Sequence, residues 1–520
     1  MDNNKESPRE EGEDDHQKMD SWRLAVIMIG LSLSVLCVAL DTTIMATAIP
    51  RITSQFNSLA DIGWYGSSYQ LTSCSLTLIF GKLFTFYSTK WVYLVVLAIF
   101  EAGSLICGVA PNSTTLIIGR AVAGIGSSGV YAGCFLIIAQ TIPLKRRPLV
   151  TSIIGSLYGV ASMAGPLIGG ALTDRASWRW CFYINLPAGA VTAAFIVILY
   201  KAPTQQKRIS RRAMVKKLDL PGTASFLPAI ICLLLALQWG GSKYAWGSVR
   251  IIGLFVAFAA LILIFVAVQW RLQARATIPP ALFLNRNVWS PALYAFCVSS
   301  SFMVFTYYLP IWFQSIKDAS ATKSGLMNLP MLIGTTVSSI LTGALVSKSG
   351  YYAPFMLLAP VVAAIGSGLL TTLQVNSGHS EWIGYQAIYG IGAGMGIQLP
   401  ITAVQATVAP LDLPSATVIV LFFQMIGGAI FVSVAQTVFH NRLLHNCAVG
   451  VPSVDAGEVA SAGPTALREI FAPELITTIL RAYNAAITQS FYIGVAMIAL
   501  ALVGALPVRW ISVRKRQLPA

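Results

Sequence analysis

Apolar residues recur in runs of about twenty along this chain, separated by short polar connections, from Leu24 almost to the C-terminal end. A helix of ~20 apolar residues crosses the ~30 Å hydrocarbon core of a bilayer, so the pattern predicts an all-α integral membrane protein. Roughly fourteen spans follow, near 24–49, 62–82, 91–109, 114–138, 149–172, 182–200, 221–239, 251–270, 292–313, 325–346, 355–374, 382–409, 416–438 and 488–508. The acidic stretch Glu10–Asp15 lacks the basic start of a cleavable signal peptide, and none is expected.

Composition sharpens the picture. Hydrophobic residues make up 56% and charged ones 11%, yet the formal net charge is +15. With an inside N-terminus and alternating spans, about 24 lysines and arginines fall inside against about 10 outside, the bias of the positive-inside rule. Lys145, Arg146 and Arg147, the basic residues from Lys201 to Lys217, and Arg509, Arg514, Lys515 and Arg516 carry much of it. The basicity therefore reports topology. Nucleic acid is not an expected partner, and both termini are expected in the cytoplasm.

The chain also repeats itself faintly. Gly81-Lys-Leu83 resembles Gly343-Ala-Leu345, Ala121–Gly126 resembles Ala387–Gly392, and Ala48-Ile-Pro50 resembles Tyr308-Leu-Pro310. The shared order and the offsets of about 260 to 266 residues fit two parallel copies with small insertions. The predicted plan is two pseudo-symmetric six-helix bundles plus two extra spans. It comprises an acidic tail (1–20), a first bundle (21–200), a basic linker (201–218), two additional spans (219–271), a second bundle (272–508) and a basic tail (509–520). The longest outer loop is 439–487, and its stretch Glu474–Ala486 has the helical apolar spacing of a helix lying on the membrane surface.

Glycine is dense in the fifth span, at Gly155, Gly159, Gly165, Gly169 and Gly170, with Pro166 among them. A spacing of four puts Gly155 beside Gly159 and Gly165 beside Gly169, which makes smooth faces for close helix approach. Pro166 removes a backbone donor and bends the helix. Helix packing and a transport-specific role fit this pattern equally well.

Three ionisable side chains fall deep in apolar spans: Asp41, Glu101 and Arg120. A charge at the bilayer centre costs at least ~2.5–3.5 kcal/mol, so each must face protein or water. Counted from the span ends at 1.5 Å per residue, all three lie at ~9–12 Å depth on the outer side and can meet. In one reading Arg120 neutralises Glu101 or Asp41 and locks the bundle. In the other, a carboxylate exchanges a proton as its surroundings alternate between dry and wet. Asp41 is the first choice for the proton, because Thr42 and Thr43 beside it suggest a polar patch, and Arg120 then modulates it. The repeat partner of Arg120 is neutral Gln386, which confines proton chemistry to the first half. One proton crossing ~100 mV supplies ~2.3 kcal/mol and one pH unit ~1.4 kcal/mol, enough for a gradient of several hundredfold.

Other chemistry finds little support. No Gly-x-x-x-x-Gly-Lys-Ser/Thr loop occurs, so no nucleotide cofactor is expected. The cysteines lack metal-ligand spacing, and His16, His379, His440 and His445 fall in tails or loops. Neither a metal site nor the His–carboxylate set of a membrane enzyme is therefore expected. Asn112-Ser-Thr is a formal glycosylation sequon, but its short loop hugs the bilayer and modification of Asn112 is not expected.

Several motifs then occur in a telling order. These are Leu40–Ile44 with Ala48-Ile-Pro50, Phe100–Cys107, Gly119-Arg120 with Gly124 and Gly126, Gly155–Gly170, Trp178-Arg-Trp180 with Phe182–Pro187, and Tyr307–Gln314. Together they resemble the major facilitator superfamily, specifically its fourteen-span drug:proton antiporter branch common in fungi. The resemblance runs from Trp22 to Arg509. It implies the major facilitator fold, proton-coupled export of toxins or drugs by alternating access, Arg120 in proton transfer, and Gly155–Gly170 as an antiporter motif. It also implies a fungal plasma membrane, with the vacuolar membrane as the alternative. One position departs: where the family usually has an aspartate two residues beyond Gly-x-Leu, this chain has Thr85, followed by Ser88 and a retained Lys90.

A cavity between two bundles, lined by aromatic and amide groups, suits amphipathic organic molecules. Tyr69, Gln70, Tyr158, Tyr307, Phe313, Gln314, Gln386, Gln398 and Phe423 are the candidate liners. With no charge in the second bundle, the expected cargo is neutral or weakly charged, such as a fungal secondary metabolite or an azole-like drug. Protons, lipid and that small molecule are the expected partners of a monomer. An importer or uniporter of the same fold, such as an iron-chelate transporter, is the rival reading.

Overall fold

The computed structural model describes residues 21–514 except 59–60, 203–218, 242, 451–453, 462–466 and 469. The acidic tail 1–20, all but the first two residues of the linker 201–218, and residues 515–520 lie outside the described residues.

The long helices in chain order are α1 (Ser21–Thr43), α2 (Ile62–Phe86), α3 (Thr89–Val109), α4 (Ser113–Thr141), α5 (Arg147–Arg175), α6 (Asn185–Leu199), α7 (Leu220–Trp239) and α8 (Val249–Leu272). Then follow α9 (Arg286–Ile316), α10 (Leu329–Ser349), α11 (Ala353–Leu370), α12 (His379–Ile397), α13 (Leu413–Gly450) and α14 (Pro473–Ala505). Among the described residues, thirteen helices are long and apolar enough to cross a membrane. The remaining long helix, α2, has 25 residues but is rich in serine and threonine, and it packs between α4 and α13. The protein is thus a multi-pass integral membrane protein.

Local sequence sets the helix ends. The side chains of Asn112, Asp219, Ser248 and Asn285 accept backbone N–H groups that would otherwise lack partners at the starts of α4, α7, α8 and α9. Beyond Thr43 the first span runs on as a helix over Met45–Phe56, joined by an Ile44 N–H bond to the Leu40 carbonyl at 2.8 Å. At Gln398, just before Pro400, α12 breaks and resumes as Leu399–Thr407.

Helices α1 to α6 form one bundle around Phe100 and Phe135, and α9 to α14 a second around Trp312 and Tyr389. The internal repeat is visible in how glycines let helices touch. In the first bundle, Gly103 lies against the Ala123 backbone and Gly126 against that of Phe100, clamping α3 to α4. In the second, Gly366 lies against the Tyr389 backbone and Gly392 against that of Ala363, clamping α11 to α12 in the same way. A Cβ at any of the four would collide with backbone, so only glycine permits the approach.

Close to the ends that carry Lys82, Arg147 and Lys348, the two bundles meet. Gly81 of α2 sits against Val418 of α13, and the Thr85 and Ser415 hydroxyls are 3.4 Å apart. On the other flank Gly343 of α10 sits against Ser152 of α5, and the Leu149 N–H donates to Ser347 Oγ at 3.3 Å. The paired helices α7 and α8 flank the bundles, with α7 touching both: Gln238 donates to the Gly63 carbonyl of α2, and Phe226 packs 5.4 Å from Phe422 of α13.

One expectation needs correcting. Glu474–Ala486 is not a separate surface helix but the first half of α14. Asn484 there is buried, accepting from Trp312 Nε1 at 2.6 Å and donating to the Leu373 carbonyl at 3.0 Å. The stretch is amphipathic because Ile479, Leu480, Ala482, Tyr483 and Ala486 are buried in the bundle while Glu474, Thr477 and Arg481 are exposed.

Candidate functional site

Asp41 of α1 and Arg120 of α4 form a buried ion pair, with Arg120 Nη1 donating to Asp41 Oδ2 and both side chains at most 2% exposed. Arg120 Nε also donates to the Tyr65 carbonyl at 2.8 Å, and the guanidinium lies 4.4 Å from the centre of the Tyr69 ring. The other carboxylate oxygen of Asp41 accepts from Asn185 Nδ2 at 3.4 Å, and that amide also donates to Ser104 Oγ at 3.1 Å. Four helices therefore converge, α1, α2, α4 and α6, with α3 supplying Ser104.

Flanking glycines make this possible. Gly119, next to Arg120, lies against Cys107 of α3, and Gly124 lies against the Tyr69 carbonyl and Thr72 of α2. Small residues draw α4 inward until its one arginine reaches α1. A pair this deeply buried is strongly coupled: removing one partner strands the other charge at a cost of ~3–5 kcal/mol.

The shared depth of the three charges thus produces one pair, and it excludes Glu101. Both Glu101 oxygens are buried without a hydrogen-bond partner, pressed against Gly189 of α6. Thr42 is on the exposed side of α1, its hydroxyl donating to the Ala39 carbonyl at 2.7 Å. Thr43 instead joins α1 to α5, its hydroxyl donating to the Ala161 carbonyl at 3.1 Å.

The glycines of α5 divide into two sets with different partners. Gly155 faces the side-chain amide of Gln398 and Gly159 faces Thr336, both from the second bundle. Gly165 faces Thr43, and Gly169 faces Thr47 and Ile44, all from the first span and its continuation. Pro166 lies inside the helix between the sets. Gly170 has nothing within 4 Å of its missing side chain.

The candidate liners are dispersed. Tyr158 is half-buried and packs edge-on to Tyr131 at 5.4 Å, and Tyr131 packs on Phe135 at 5.0 Å. Gln398 lies buried nearby, opposite Gly155. Tyr307 is 51% exposed and Gln70 is exposed. Gln314 donates to Ser324 Oγ at 3.1 Å, and half-buried Phe423 stacks on Phe283 at 5.8 Å. Tyr69 is buried under Arg120. Phe313 is buried between Trp312 and Trp382, and Gln386 is buried with its amide donating to the Met327 and Trp382 carbonyls.

Sequence reasoning missed Tyr65, Ser104, Tyr131 and Asn185. Asn185 had a usable signal, as a lone amide opening an apolar run. Asn112 caps α4, its Oδ1 accepting from the Thr115 N–H at 2.9 Å. Among the described residues no group of His, Cys, Asp and Glu is arranged to hold a metal ion.

The molecule is thus two membrane-embedded helical bundles, the first of which holds a buried charge pair. The comparisons agree: the chain belongs to the Major Facilitator Superfamily, whose pattern matches residues 31–432. It is 60% identical to the MFS-type transporter astH of Aspergillus oryzae, across 96% of this chain and 88% of that one. It is 53% identical to the efflux pump roqT of Penicillium rubens, across 98% and 95% respectively. The human organic anion transporter MFSD10 (TETRAN) shares its fold, with a TM-score of 0.55 and 13% identity over 91% of this chain and 98% of that one. The protein is therefore a transporter of small molecules in a lipid bilayer, not an enzyme.

Proposed function

We propose that this transporter exports a small amphipathic organic molecule, a secondary metabolite or drug-like compound, in exchange for protons by alternating access. The buried Asp41–Arg120 pair carries the reading. A proton arriving on Asp41 cancels the charge that holds Arg120, leaving the guanidinium on the Tyr65 carbonyl and the Tyr69 ring. The α1–α4 contact then loosens. Helix α1 and its continuation also meet α5 at Gly165 and Gly169, so a shift there reaches the part of α5 that touches Gln398 and Thr336. Proton loading at one point is thereby linked to the boundary between the bundles.

Efflux is supported by the names of relatives, roqT and the Aspergillus niger efflux pump aunC, the latter 48% identical. The charge-poor second bundle favours a neutral or weakly charged cargo. The basic face belongs in the cytoplasm by the positive-inside rule, in a fungal plasma membrane, with the protein acting as a monomer of the fourteen-span antiporter branch. The test compares metabolites in medium and cells with and without the protein, then follows the identified compound in sealed vesicles of purified protein. Export that stops when the proton gradient is collapsed is expected. Equal transport without the gradient refutes the coupling.

A further inference from the structure

We infer that Glu101 is a second proton-binding site, protonated in this conformation and separate from the Asp41–Arg120 pair. The inference rests on the proton-coupled reading above and adds a second acid to it. Three buried acceptor atoms without partners gather at the seam of α3 and α6: both oxygens of Glu101 and Oδ1 of Asn185. Asn185 is fully buried, and its amide nitrogen is committed to Asp41 and Ser104. Ser104 lies one helical turn from Glu101 on α3, and Gly189, which Glu101 presses against, lies one turn from Asn185 on α6. The two orphaned groups thus share one strip between two helices.

An ionised carboxylate here would be a buried charge with no donor to hold it, the costliest state a side chain can take. A carboxylic acid changes the count. Its hydroxyl supplies a donor beside three unfilled acceptor atoms, and the amide oxygen of Asn185, one turn from Gly189, is an acceptor for it. Among the described residues, no cation is paired with Glu101. From α1 the titratable groups near enough to act on it electrostatically are Cys37 and Asp41. Helix α6 carries no ionisable side chain, and the only charge on α4, Arg120, is bound to Asp41. The short helix Trp180–Tyr183 places Tyr183 against Gly108, about two turns from Glu101. Glycine at 189 is required by the same arrangement, because a Cβ would occupy the space of the Glu101 carboxyl. The transporter therefore holds two acids that can be loaded, one paired with arginine and one neutral.

Infrared spectroscopy of the purified full-length protein in detergent tests this directly. Wild type is expected to show the carbonyl band of a protonated carboxylic acid at neutral pH, lost in Glu101→Gln and retained in Asp41→Asn. Asn185→Ala and Gly189→Ala, which alter the surroundings of Glu101 without removing it, are expected to shift the band. The inference is overturned if wild type lacks the band, if the band survives Glu101→Gln, or if neither surrounding substitution moves it. Because the band is read without any cargo, a negative result removes this site while leaving proton-driven export to the vesicle experiment.

Discussion

Gly155 of α5 meets the side-chain amide of Gln398 across the boundary between the two bundles. Ten residues further on, the same helix meets its own bundle, with Gly165 against Thr43. The glycine-rich stretch is thus a two-sided connector, and its members are expected to respond differently to substitution.

Alanine at Gly165 would collide with the side chain and backbone of Thr43, so a stability loss of ~1–3 kcal/mol is expected in thermal melts. Gly155→Ala displaces only a flexible amide, so the fold should survive while transport falls. Gly170→Ala meets open space and should change neither quantity. Equal behaviour of all three variants would show that the two sets are not distinct.

Asp41→Asn strands Arg120 in the interior, and a loss of about 3–5 kcal/mol is expected. The double variant Asp41→Asn with Arg120→Gln should recover most of that stability. Neither variant is expected to transport against a gradient. Melting temperatures beside vesicle transport separate the two effects, since a purely structural pair would regain transport along with stability.

The Thr85 and Ser415 hydroxyls lie 3.4 Å apart where the bundles close. Cysteines at both positions need only a small approach to reach the ~2.05 Å of a disulfide. Oxidation should join the bundles and halt transport, and reductant should restore it. Ser415 is itself buried, so it is the closeness of the two positions, and not their exposure, that favours their cross-link over reaction of the unpaired native cysteines. A cross-linked protein that still transports would mean this contact need not open.

Asp219 ties the extra helix pair together. Its carboxylate caps α7 through the Gly222 N–H at 2.6 Å and accepts from Gln269 Nε2 at 2.6 Å and from the Thr277 N–H at 2.8 Å. Asp219→Ala leaves these buried donors unfilled, at about 1–3 kcal/mol each. The expected result is a lower melting temperature and faster protease cleavage next to α7, with Asp219→Asn intermediate. An unchanged melt would show that packing alone holds α7 and α8.

The spans were legible because run length is a local property, readable without knowing any neighbour. Depth along a helix is also local, and it brought Asp41 and Arg120 together correctly. Direction around the helix is not local in the same way. Glu101 sits at the depth of the pair yet faces α6, and only the packing of α3 against α6 decides that. The apolar spacing of Glu474–Ala486 misled for the related reason that what its buried face meets, Trp312 and Leu373 among others, lies far away in sequence. The glycines of α5 advertised close contact but not with whom, since spacing names a face and leaves its occupant open.

Helices α7 and α8 break the symmetry that the repeats create. On their side the join between the halves is shielded, whereas on the opposite side α5 and α10 present Ile153, Val160, Val337 and Leu341 outward. The two seams between the halves therefore meet the bilayer differently, one behind an added helix pair and the other directly.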